Sequence, residues 1–453
     1  MICTIDPSKG EALERLPYMD AREVDAKLEA ASNAAKAWAA SNVADRAALL
    51  TRTAAKLRER KDELAMTAVR EMGKPITQAR AEIEKCAWCC EFFCERGPEM
   101  LAAVDAPSGA SRSYVAFRPL GTLLAIMPWN YPYWQVFRAA APAILAGNAV
   151  LLKHAENTSR CALEIERVFL DAGAPPGLFT ALLVSNETID ERIADPRIHA
   201  VTLTGSERAG VAVASAAGAA LKKCVLELGG SDAFVVLADA DLDLAAKTAV
   251  TARFQNNGQS CIAAKRFIVE ASVYDAFLER FAAQTKAQRI GDPADEATQI
   301  GPVARGDLLK TLHEQVRATL DAGATLALGG RPIDRPGNYY EPTIVGDVVP
   351  GMRLFDEETF GPAAAVVRAK NADEAIALAN MSSYGLGFSI WSRDAAAAEQ
   401  FAPRVEAGAV FVNGMVASDP RLPFGGIKKS GYGRELSVYG VHEFVNVQTV
   451  WVA

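Results

Sequence analysis

Residues 198–210 read IHAVTLTGSERAG, which predicts a buried strand, a short turn and the start of a helix. Gly205 and Ser206 form the turn, and the helix over 207–220 carries Gly210 in its first turn. A strand-to-helix turn of this kind points backbone N–H groups and the positive end of the helix at an anion, such as the pyrophosphate of a dinucleotide. A Gly-Ser pair before a helix is also an ordinary helix cap, so the stretch by itself leaves both interpretations open.

The same order of strand and helix extends on both sides of this turn. Residues 113–127 predict two strands separated by a Pro-Gly turn, residues 149–153 predict another short buried strand, and helix and strand then alternate through Arg421. This alternation is typical of a parallel sheet that is covered by helices on both faces. A chain of 453 residues, 50% of them hydrophobic, exceeds one ordinary core, so the sequence predicts an α/β fold with two large domains.

The first hundred residues instead predict helices. Asp20 is placed to cap a helix that runs to about Ala40, and residues 45–71 carry apolar side chains at helical spacing. Residues 76–96 predict a further helix. It carries four cysteines, Cys86, Cys89, Cys90 and Cys94. A Cys-x-x-Cys pair can bind zinc or perform redox chemistry, but no second pair of ligands accompanies this one, so we interpret the cluster as buried thiols and expect no metal site.

The composition excludes several classes of function. A formal net charge of -7 gives no overall basic field for a nucleic acid. The longest apolar stretch, residues 139–152, is shorter than the roughly 20 residues that a membrane helix needs, so no membrane partner is expected. The first residues contain neither a basic leader nor an apolar core, which predicts a cytoplasmic location.

A candidate nucleophile lies in residues 254–262, FQNNGQSCI. Cys261 follows a turn-prone Asn-Asn-Gly segment, and we predict it at a loop-to-helix junction, where the positive end of the helix would lower the pKa of the thiol. The thiolate is the reactive form of cysteine in covalent catalysis. Most cysteines are simply buried, so the residue type alone does not decide between these two roles.

A candidate base lies in residues 226–230, LELGG. Glu227 ends an apolar strand, and the two glycines after it allow another backbone or a ligand to approach closely. A carboxyl group half-buried in that place would have a raised pKa and could act as a general base. The alternative is an exposed glutamate beside a turn.

A candidate hydrogen-bond donor lies in residues 128–132, PWNYP. The two prolines hold the backbone rigid at the end of a strand, which leaves the side-chain amide of Asn130 as a directed donor. Such a donor can stabilise an oxyanion during acyl transfer.

Taken together, these segments resemble the aldehyde dehydrogenase superfamily over essentially the whole chain. Motifs of that superfamily have counterparts here, in the same order, at 128–132 (PWNYP), 204–210 (TGSERAG), 227–230 (ELGG), 258–261 (GQSC), 355–362 (FDEETFGP) and 423–435 (PFGGIKKSGYGRE). Tyr131 stands where the family has phenylalanine. The resemblance implies a Rossmann-type cofactor domain, a second α/β catalytic domain and a β arm for bridging and oligomerisation.

The resemblance also implies domain boundaries. They are 1–100 with 120–229 for the cofactor-binding domain, 230–430 for the catalytic domain, and 101–119 with 431–453 for the arm. Residues 444–452, FVNVQTVWV, form an alternating strand that is too exposed to stand alone, which favours pairing with another sheet or another subunit. By resemblance, the arm joins subunits into a homodimer or homotetramer.

The resemblance gives each candidate catalytic residue a role. Cys261 adds to the carbonyl carbon of an aldehyde, and the Asn130 amide and the Cys261 backbone N–H hold the oxyanion. A nicotinamide then takes hydride, and Glu227 deprotonates the water that hydrolyses the resulting thioester. Relatives that pass the acyl group to coenzyme A generally lack this glutamate, so the expected product is a free acid.

The residues expected to contact the dinucleotide follow from the same resemblance. They are Met127, Trp129, Lys153, Glu156, Gly205, Ser206, Gly210, Leu228, Glu358 and Phe360. Glu358 is expected to hold the nicotinamide ribose. The carboxylate of Glu156 would accept hydrogen bonds from a free 2′-hydroxyl and repel a 2′-phosphate, which favours NAD over NADP. If Glu156 instead points into solvent, both cofactors would serve.

The most similar subgroup is the succinate-semialdehyde dehydrogenases, which implies oxidation of succinic semialdehyde to succinate. Arg138 is then expected to bind the carboxylate of the aldehyde, with Ser418 as a hydroxyl donor and Trp134 as an apolar wall. Gln255 stands where some members carry a second arginine, so fewer charges are available. Three alternatives stay open: a structural ion pair at Arg138, another small aliphatic or ω-carboxy aldehyde as substrate, and a silent scaffold on the same fold.

Overall fold

The first 119 residues form a β-hairpin, four helices and two further strands in the computed structural model, which describes residues 1–453. The elements are β1 (Ile2–Asp6), β2 (Glu11–Leu16), α1 (Ala21–Ala39), α2 (Val43–Glu59), α3 (Lys61–Met72), α4 (Ile76–Met100), β3 (Val104–Asp105) and β4 (Arg112–Pro119). Asp20 caps α1 as predicted, because its side chain accepts a hydrogen bond from the backbone N–H of Glu23 at 2.8 Å.

The segment with helical spacing over 45–71 forms two helices, since the chain breaks between α2 and α3 at Arg60. The break has a local cause, because Asp62 and Glu63 follow at once and acidic side chains favour the first turn of a new helix. The predicted end of the segment is confirmed. Gly73 terminates α3 in the left-handed conformation, with a φ of 76°.

The cysteine cluster lies on α4, inside the core. Cys86, Cys89 and Cys90 are fully buried among residues of α2, α4 and α5, and all eight cysteines of the chain are free. No group of three or more His, Cys, Asp or Glu side chains is arranged to hold a metal ion. The helices are also all too short or too polar to cross a lipid bilayer.

Residues 122–227 build the first sheet. Its strands and helices are β5 (Thr122–Met127), α5 (Trp134–Ala146), β6 (Ala149–His154), α6 (Ser159–Asp171), β7 (Phe179–Ala181), α7 (Ile189–Ala194), β8 (Ala200–Thr204), α8 (Glu207–Ala219) and β9 (Lys223–Glu227). The strands are parallel and lie in the order β7-β6-β5-β8-β9. The strand order reverses between β5 and β8, and doubly wound sheets bind ligands beyond the carboxyl ends of the strands at such a reversal. The prediction of a Rossmann-type sheet is confirmed.

Residues 232–412 build the second sheet. Its strands and helices, with one short strand outside it, are β10 (Asp232–Val236), α9 (Leu242–Phe254), β11 (Ala264–Glu270), α10 (Tyr274–Lys286), α11 (Gly306–Asp321), β12 (Thr325–Leu328), β13 (Thr343–Gly346), α12 (Arg353–Asp356), β14 (Ala363–Ala369), α13 (Ala372–Asn380), β15 (Tyr384–Gly385), β16 (Gly387–Trp391), α14 (Ala395–Glu399) and β17 (Ala409–Val412). The order is β12-β13-β14-β11-β10-β16-β17, and only β12 is antiparallel to its neighbour. Residues 228–231 connect β9 to β10, so the carboxyl edge of the first sheet meets the amino edge of the second.

The last segment contributes to three sheets. Its elements are β18 (Ile427–Lys428), β19 (Gly431–Tyr432), α15 (Ser437–Glu443) and β20 (Val445–Val452). The strand β18 pairs with β15, and β19 extends the first sheet beside β9. The strand β20 pairs antiparallel with β4 along its whole length, and β3 pairs with the other edge of β4. The arm sheet therefore consists of β3, β4 and β20, and the C-terminal strand pairs within its own chain.

Candidate active site

A cavity of about 350 Å³ lies beside the junction of the two sheets. The helices α4 and α5 supply one side of its wall, and the loop that leads into β11 supplies Cys261. The candidate substrate residues Trp134, Arg138 and Ser418 line the same cavity. The fold therefore brings the candidate nucleophile and all three candidate substrate residues to one space.

Cys261 lies in a turn that leads directly into β11. The loop-to-helix junction predicted for it is wrong, because the apolar residues that follow form a buried strand of the second sheet. No helix N-terminus therefore acts on the thiol. Burial raises the pKa of Cys261 to about 12, against the positive charges of Arg138 and Lys265, which act to lower it. The thiol is therefore protonated at neutral pH in the resting protein.

Two asparagines hold the turn before Cys261 in place. Asn256 and Asn257 have φ angles of 53° and 59°, a left-handed conformation that asparagine tolerates. The Asn256 side chain donates a hydrogen bond to the backbone carbonyl of Asn130 at 2.8 Å, and the Asn257 side chain donates to the carbonyl of Gly73 at 2.8 Å. The first bond fixes this loop against the segment that follows β5, and the second fixes it against the end of α3.

Asn130 lies between β5 and α5 and is 4% exposed. Its Nδ2 donates to the carbonyl of Gln259 at 3.0 Å, and its Oδ1 accepts from the side chain of Gln135 at 3.1 Å, so the amide has a fixed orientation. An amide nitrogen has two hydrogens, and only one of them is used here. The backbone N–H of Cys261 donates no hydrogen bond within the protein. Two donors are thus available in the neighbourhood of the thiol.

Glu227 ends β9 and is 2% exposed, which excludes the exposed glutamate of the alternative interpretation. Neither of its carboxyl oxygens has a hydrogen-bond partner within the protein. Burial raises the pKa of Glu227 well above its usual value and the nearby Glu435 raises it further, whereas Arg138 and Arg434 act to lower it. A raised pKa makes the carboxylate form of Glu227 a stronger base than an exposed glutamate.

The PFGGIKKSGYGRE motif packs against Glu227. Gly425 has a φ of 151°, and a Cβ atom on it would lie 2.7 Å from Oε1 of Glu227, so the close approach requires glycine. Glu435 of the same motif forms a fully buried ion pair with Arg138. The arginine is thus held as a structural ion pair, the alternative that the sequence left open, while its side chain still lines the cavity.

Trp134 and Ser418 meet on one wall of the cavity, where the indole Nε1 donates to the serine Oγ at 3.0 Å. Lys85, which the sequence analysis did not identify, donates to the same oxygen at 2.8 Å and lies 4.3 Å from the centre of the tryptophan ring. A signal was present in the sequence, because Gln78, Glu82 and Lys85 recur at helical spacing on α4 and so share one face.

Two of the predicted dinucleotide contacts lie at the end of β6. Lys153 is buried, and its ammonium group donates to the side chain of Asn186. Burial lowers the pKa of Lys153, and the carboxylate of Glu156 opposes that shift. Glu156 is half-buried and accepts a hydrogen bond from the hydroxyl of Tyr18 at 2.9 Å, so its side chain is held against the protein.

The turn between β8 and α8 is tied to the strand that carries Glu227. The N–H of Gly205 donates to the carbonyl of Glu227 at 3.0 Å, and the Ser206 side chain accepts a hydrogen bond from the first turn of α8. A Cβ atom on Gly210 would lie 2.6 Å from Cδ1 of Leu228, so glycine lets α8 pack closely on the segment after β9. Both interpretations of this turn are compatible, since a capped helix start still presents free N–H groups to an anion.

The FDEETFGP motif reaches this edge from the second sheet. Glu358 accepts a hydrogen bond from the backbone N–H of Gly230 at 3.0 Å. The ring of Phe360 packs edge-on against Trp129, with 5.6 Å between the ring centroids. Trp129 lies two residues after Met127, the last residue of β5. The motif therefore lies against the end of the strand at which the sheet order reverses.

These residues fit a nicotinamide dinucleotide. The predicted contacts lie at the carboxyl ends of β5, β6, β8 and β9 or on the motif that packs against them. A buried ammonium group, a held carboxylate and the start of α8 offer a cation, a hydroxyl acceptor and backbone N–H donors. The cavity with Cys261 adjoins this edge, because Asn130 and Trp134 follow β5 directly.

Comparisons with known proteins agree with this geometry. A sequence model of the aldehyde dehydrogenase family matches residues 1–450. An Escherichia coli protein named succinate semialdehyde dehydrogenase, with NAD(P)+ in its name, is 52% identical over 448 residues, which are 99% of this chain and 97% of that protein. A probable succinate-semialdehyde dehydrogenase of Synechocystis sp., named with NADP(+), is 50% identical over 452 residues, 100% of both chains. The crystal structure of succinic semialdehyde dehydrogenase from Streptococcus pyogenes in complex with NADP+ has a TM-score of 0.98 at 38% identity and covers 100% of both chains.

Proposed function

The chain belongs to the aldehyde dehydrogenase family, and from that premise we propose that it oxidises succinic semialdehyde to succinate with NAD or NADP. The observation that carries the substrate is the composition of one cavity. Cys261 shares it with the hydroxyl of Ser418, the indole of Trp134 and two basic side chains, Arg138 and Lys85. A short aldehyde with a carboxylate at its other end suits that combination. The alternative substrate is another small aliphatic or ω-carboxy aldehyde.

The reaction begins at Cys261. The thiol loses its proton to solvent, and the sulfur then forms a bond to the aldehyde carbon, so that the carbonyl oxygen becomes an oxyanion that the Asn130 amide and the Cys261 backbone N–H stabilise. The chemistry that the dinucleotide supplies when bound is the acceptance of a hydride. After this oxidation the acyl group remains on Cys261 as a thioester.

Release of the acid requires an activated water. Glu227 is buried at the end of β9, and both of its oxygens are free of protein hydrogen bonds, so the deprotonated carboxylate can accept a proton from water. General-base catalysis of this kind contributes about 100-fold to 10,000-fold in rate. The oxygen of this water forms a bond to the thioester carbon, the carbon–sulfur bond breaks and the free acid leaves. The proton held by Glu227 passes to the sulfur, which restores the thiol of Cys261.

The substrate is tested by steady-state kinetics with two aldehydes of the same chain length. We expect kcat/KM for succinic semialdehyde to exceed that for butanal by about 10-fold to 100-fold, because charge-assisted hydrogen bonds hold the carboxylate. NADH formation at a fixed pH and saturating NAD measures both values. Equal values would overturn the succinic semialdehyde assignment, and no NADH with any aldehyde would leave only a scaffold on this fold.

For the cofactor, we propose a preference for NAD over NADP. The Glu156 carboxylate lies at the end of β6 and is held by the hydroxyl of Tyr18, where it would repel a 2′-phosphate. Lys153, the predicted cation of this edge, lies three residues before it and is buried. A strict preference is not required, because the named relatives include both NAD(P)+ and NADP(+) proteins.

Glu156→Ser is expected to shift this preference. Loss of the carboxylate removes the repulsion of a 2′-phosphate, so the ratio of kcat/KM for NADP to that for NAD should rise by about tenfold or more. The ratio is measured with succinic semialdehyde at saturation. Glu187→Ser serves as the control. Glu187 is exposed, and its carboxylate, like that of Glu156, acts to raise the pKa of Tyr18. An unchanged ratio in Glu156→Ser would show that the carboxylate does not select the cofactor.

We also propose the domain boundaries 1–100 with 120–229, 230–430, and 101–119 with 431–453, because the two large sheets and the arm sheet follow this division except at β19, which extends the first sheet. The arm exposes Val104, Val447 and Trp451, and an apolar strand edge of this kind suits a homodimer or homotetramer.

A cytoplasmic location fits a chain in which every cysteine is a free thiol.

A further inference from the structure

Three charged side chains line the cavity that contains Cys261: Glu82, Lys85 and Arg138. Two of them are already neutralised inside the protein. Glu82 forms a buried ion pair with Lys74, and Arg138 forms one with Glu435. Breaking either pair to bind a substrate would leave a buried charge without a partner, which is costly. The charge of each of these two groups is therefore already compensated inside the protein.

Lys85 differs from these two because no acidic group lies within ion-pair distance of it. Its ammonium group contacts only the hydroxyl of Ser418, at 2.8 Å, and the face of the Trp134 ring, at 4.3 Å. The carboxylate of Asp419 acts to raise the pKa of Lys85, but it is itself paired with Arg421. Lys85 therefore brings an unpaired positive charge to the wall of the cavity.

Ser418 is set up to act with this lysine. Its oxygen accepts one hydrogen bond from Lys85 and another, at 3.0 Å, from the indole of Trp134. A hydroxyl oxygen has two acceptor positions, so both are used and the hydroxyl hydrogen has to be donated elsewhere. An ammonium group and an adjacent hydroxyl donor together match the two oxygens of a carboxylate.

We propose that Lys85, with Ser418 beside it, binds the carboxylate of the aldehyde substrate in the place of the paired Arg138. This inference rests on the proposed function and names the residue that gives it specificity. The arrangement also compensates for the uncharged Gln255, which stands where some members of the subgroup carry a second arginine. Lys85 on α4 supplies a positive charge to the same cavity.

Lys85→Met tests the proposal, because methionine keeps the apolar stem over Trp134 and removes the charge. We expect kcat/KM for succinic semialdehyde to fall by about 10-fold to 100-fold, while the value for butanal stays close to that of the unchanged enzyme. Lys85→Arg should restore much of the loss. Lys247→Met is the control, since Lys247 is exposed on α9, outside this cavity, and its loss should leave both values unchanged.

A second readout measures binding without turnover of the acid. Succinate should inhibit butanal oxidation competitively, and Lys85→Met should raise its inhibition constant by about tenfold or more. If the unchanged enzyme prefers succinic semialdehyde and Lys85→Met keeps that preference, the proposal for Lys85 is overturned and the function stands. If the unchanged enzyme has no preference and succinate does not inhibit it, both are overturned. If Lys85→Met also loses butanal oxidation, kcat/KM for succinic semialdehyde and for butanal is compared in Lys85→Gln instead.

The pH dependence gives a further signature. Burial lowers the pKa of Lys85 to about 8, with Arg138 lowering it further, whereas the Cys86 and Cys89 thiols and Asp419 act in the opposite direction. The ammonium form is present below that pH and is lost above it, so the ratio of kcat/KM for succinic semialdehyde to that for butanal should fall as pH rises through about 8. Effects common to both aldehydes, such as ionisation of Cys261, cancel in this ratio. A ratio that stays constant with pH would contradict the assignment.

Discussion

Cys261→Ala is expected to abolish NADH formation with every aldehyde, by at least about 10,000-fold in kcat, the scale seen when the nucleophile of a covalent enzyme is removed. The reason is positional. No other cysteine lines the cavity between α4, α5 and the loop before β11, so no second thiol can take over the attack. Binding of NAD should persist, because the predicted dinucleotide contacts lie at the carboxyl ends of the first-sheet strands.

The control for this variant is Cys94→Ala. Cys94 is also a half-buried free thiol, but it lies on α4 against Thr51 and does not line the cavity. Its loss should leave turnover unchanged. NAD binding is measured for both variants by quenching of the intrinsic protein fluorescence. This measurement separates a chemical defect from a folding defect. Substantial NADH formation by Cys261→Ala would disprove the covalent mechanism.

The order of strand and helix was readable from the sequence because burial and turn residues leave local patterns. The alternation from residue 113 onward predicted the parallel sheets, and the cap at Asp20 predicted the start of α1. The break at Arg60 leaves little trace in the sequence because apolar residues recur at the same spacing in both helices, and the acidic first turn of α3 is its one local sign.

The sequence predicted which residues form the site better than it predicted their surroundings in the fold. The motifs located Cys261, Glu227 and Asn130, but the pKa direction expected for the cysteine was wrong, since β11 and not a helix follows it. The partner of Arg138 is Glu435, 297 residues further along the chain. No local pattern reveals such a pair, because it depends on how the C-terminal motif folds back over α5.

The environment of Lys85 could not be predicted from the local sequence either. The four cysteines are the conspicuous residues of its helix, and three of them are buried, whereas Lys85 lies on the side of the helix that lines the cavity. Helical spacing could have grouped Lys85 with Glu82, but the sequence could not show that one of the two is paired and the other is not. Unpaired charge is a property of the folded chain.

Glu227→Gln is expected to lower steady-state kcat by about 100-fold to 10,000-fold, because hydrolysis of the thioester loses its general base. The attack by Cys261 and the oxidation do not require this carboxylate, so each active site should still form about one NADH in a rapid burst. Glutamine keeps the size of the side chain, which matters beside Gly425, where a Cβ atom would already lie 2.7 Å from Oε1. Rapid-mixing absorbance measures the burst, and mass spectrometry of the quenched protein detects the acyl group on Cys261.

The pH profile distinguishes a base from a structural carboxyl group. Burial and Glu435 raise the pKa of Glu227, so the basic form is scarce at low pH and increases with rising pH. The kcat of the unchanged enzyme should therefore increase with pH through that raised pKa, and Glu227→Gln should lose this dependence. Glu443→Gln is the matched control, because Glu443 is half-buried outside the cavity and its carboxylate also acts to raise the pKa of Glu227. This variant should keep both the NADH burst and the pH profile of kcat. Loss of the burst in Glu227→Gln would instead assign the carboxylate to activation of the thiol, because the acyl group would then never form.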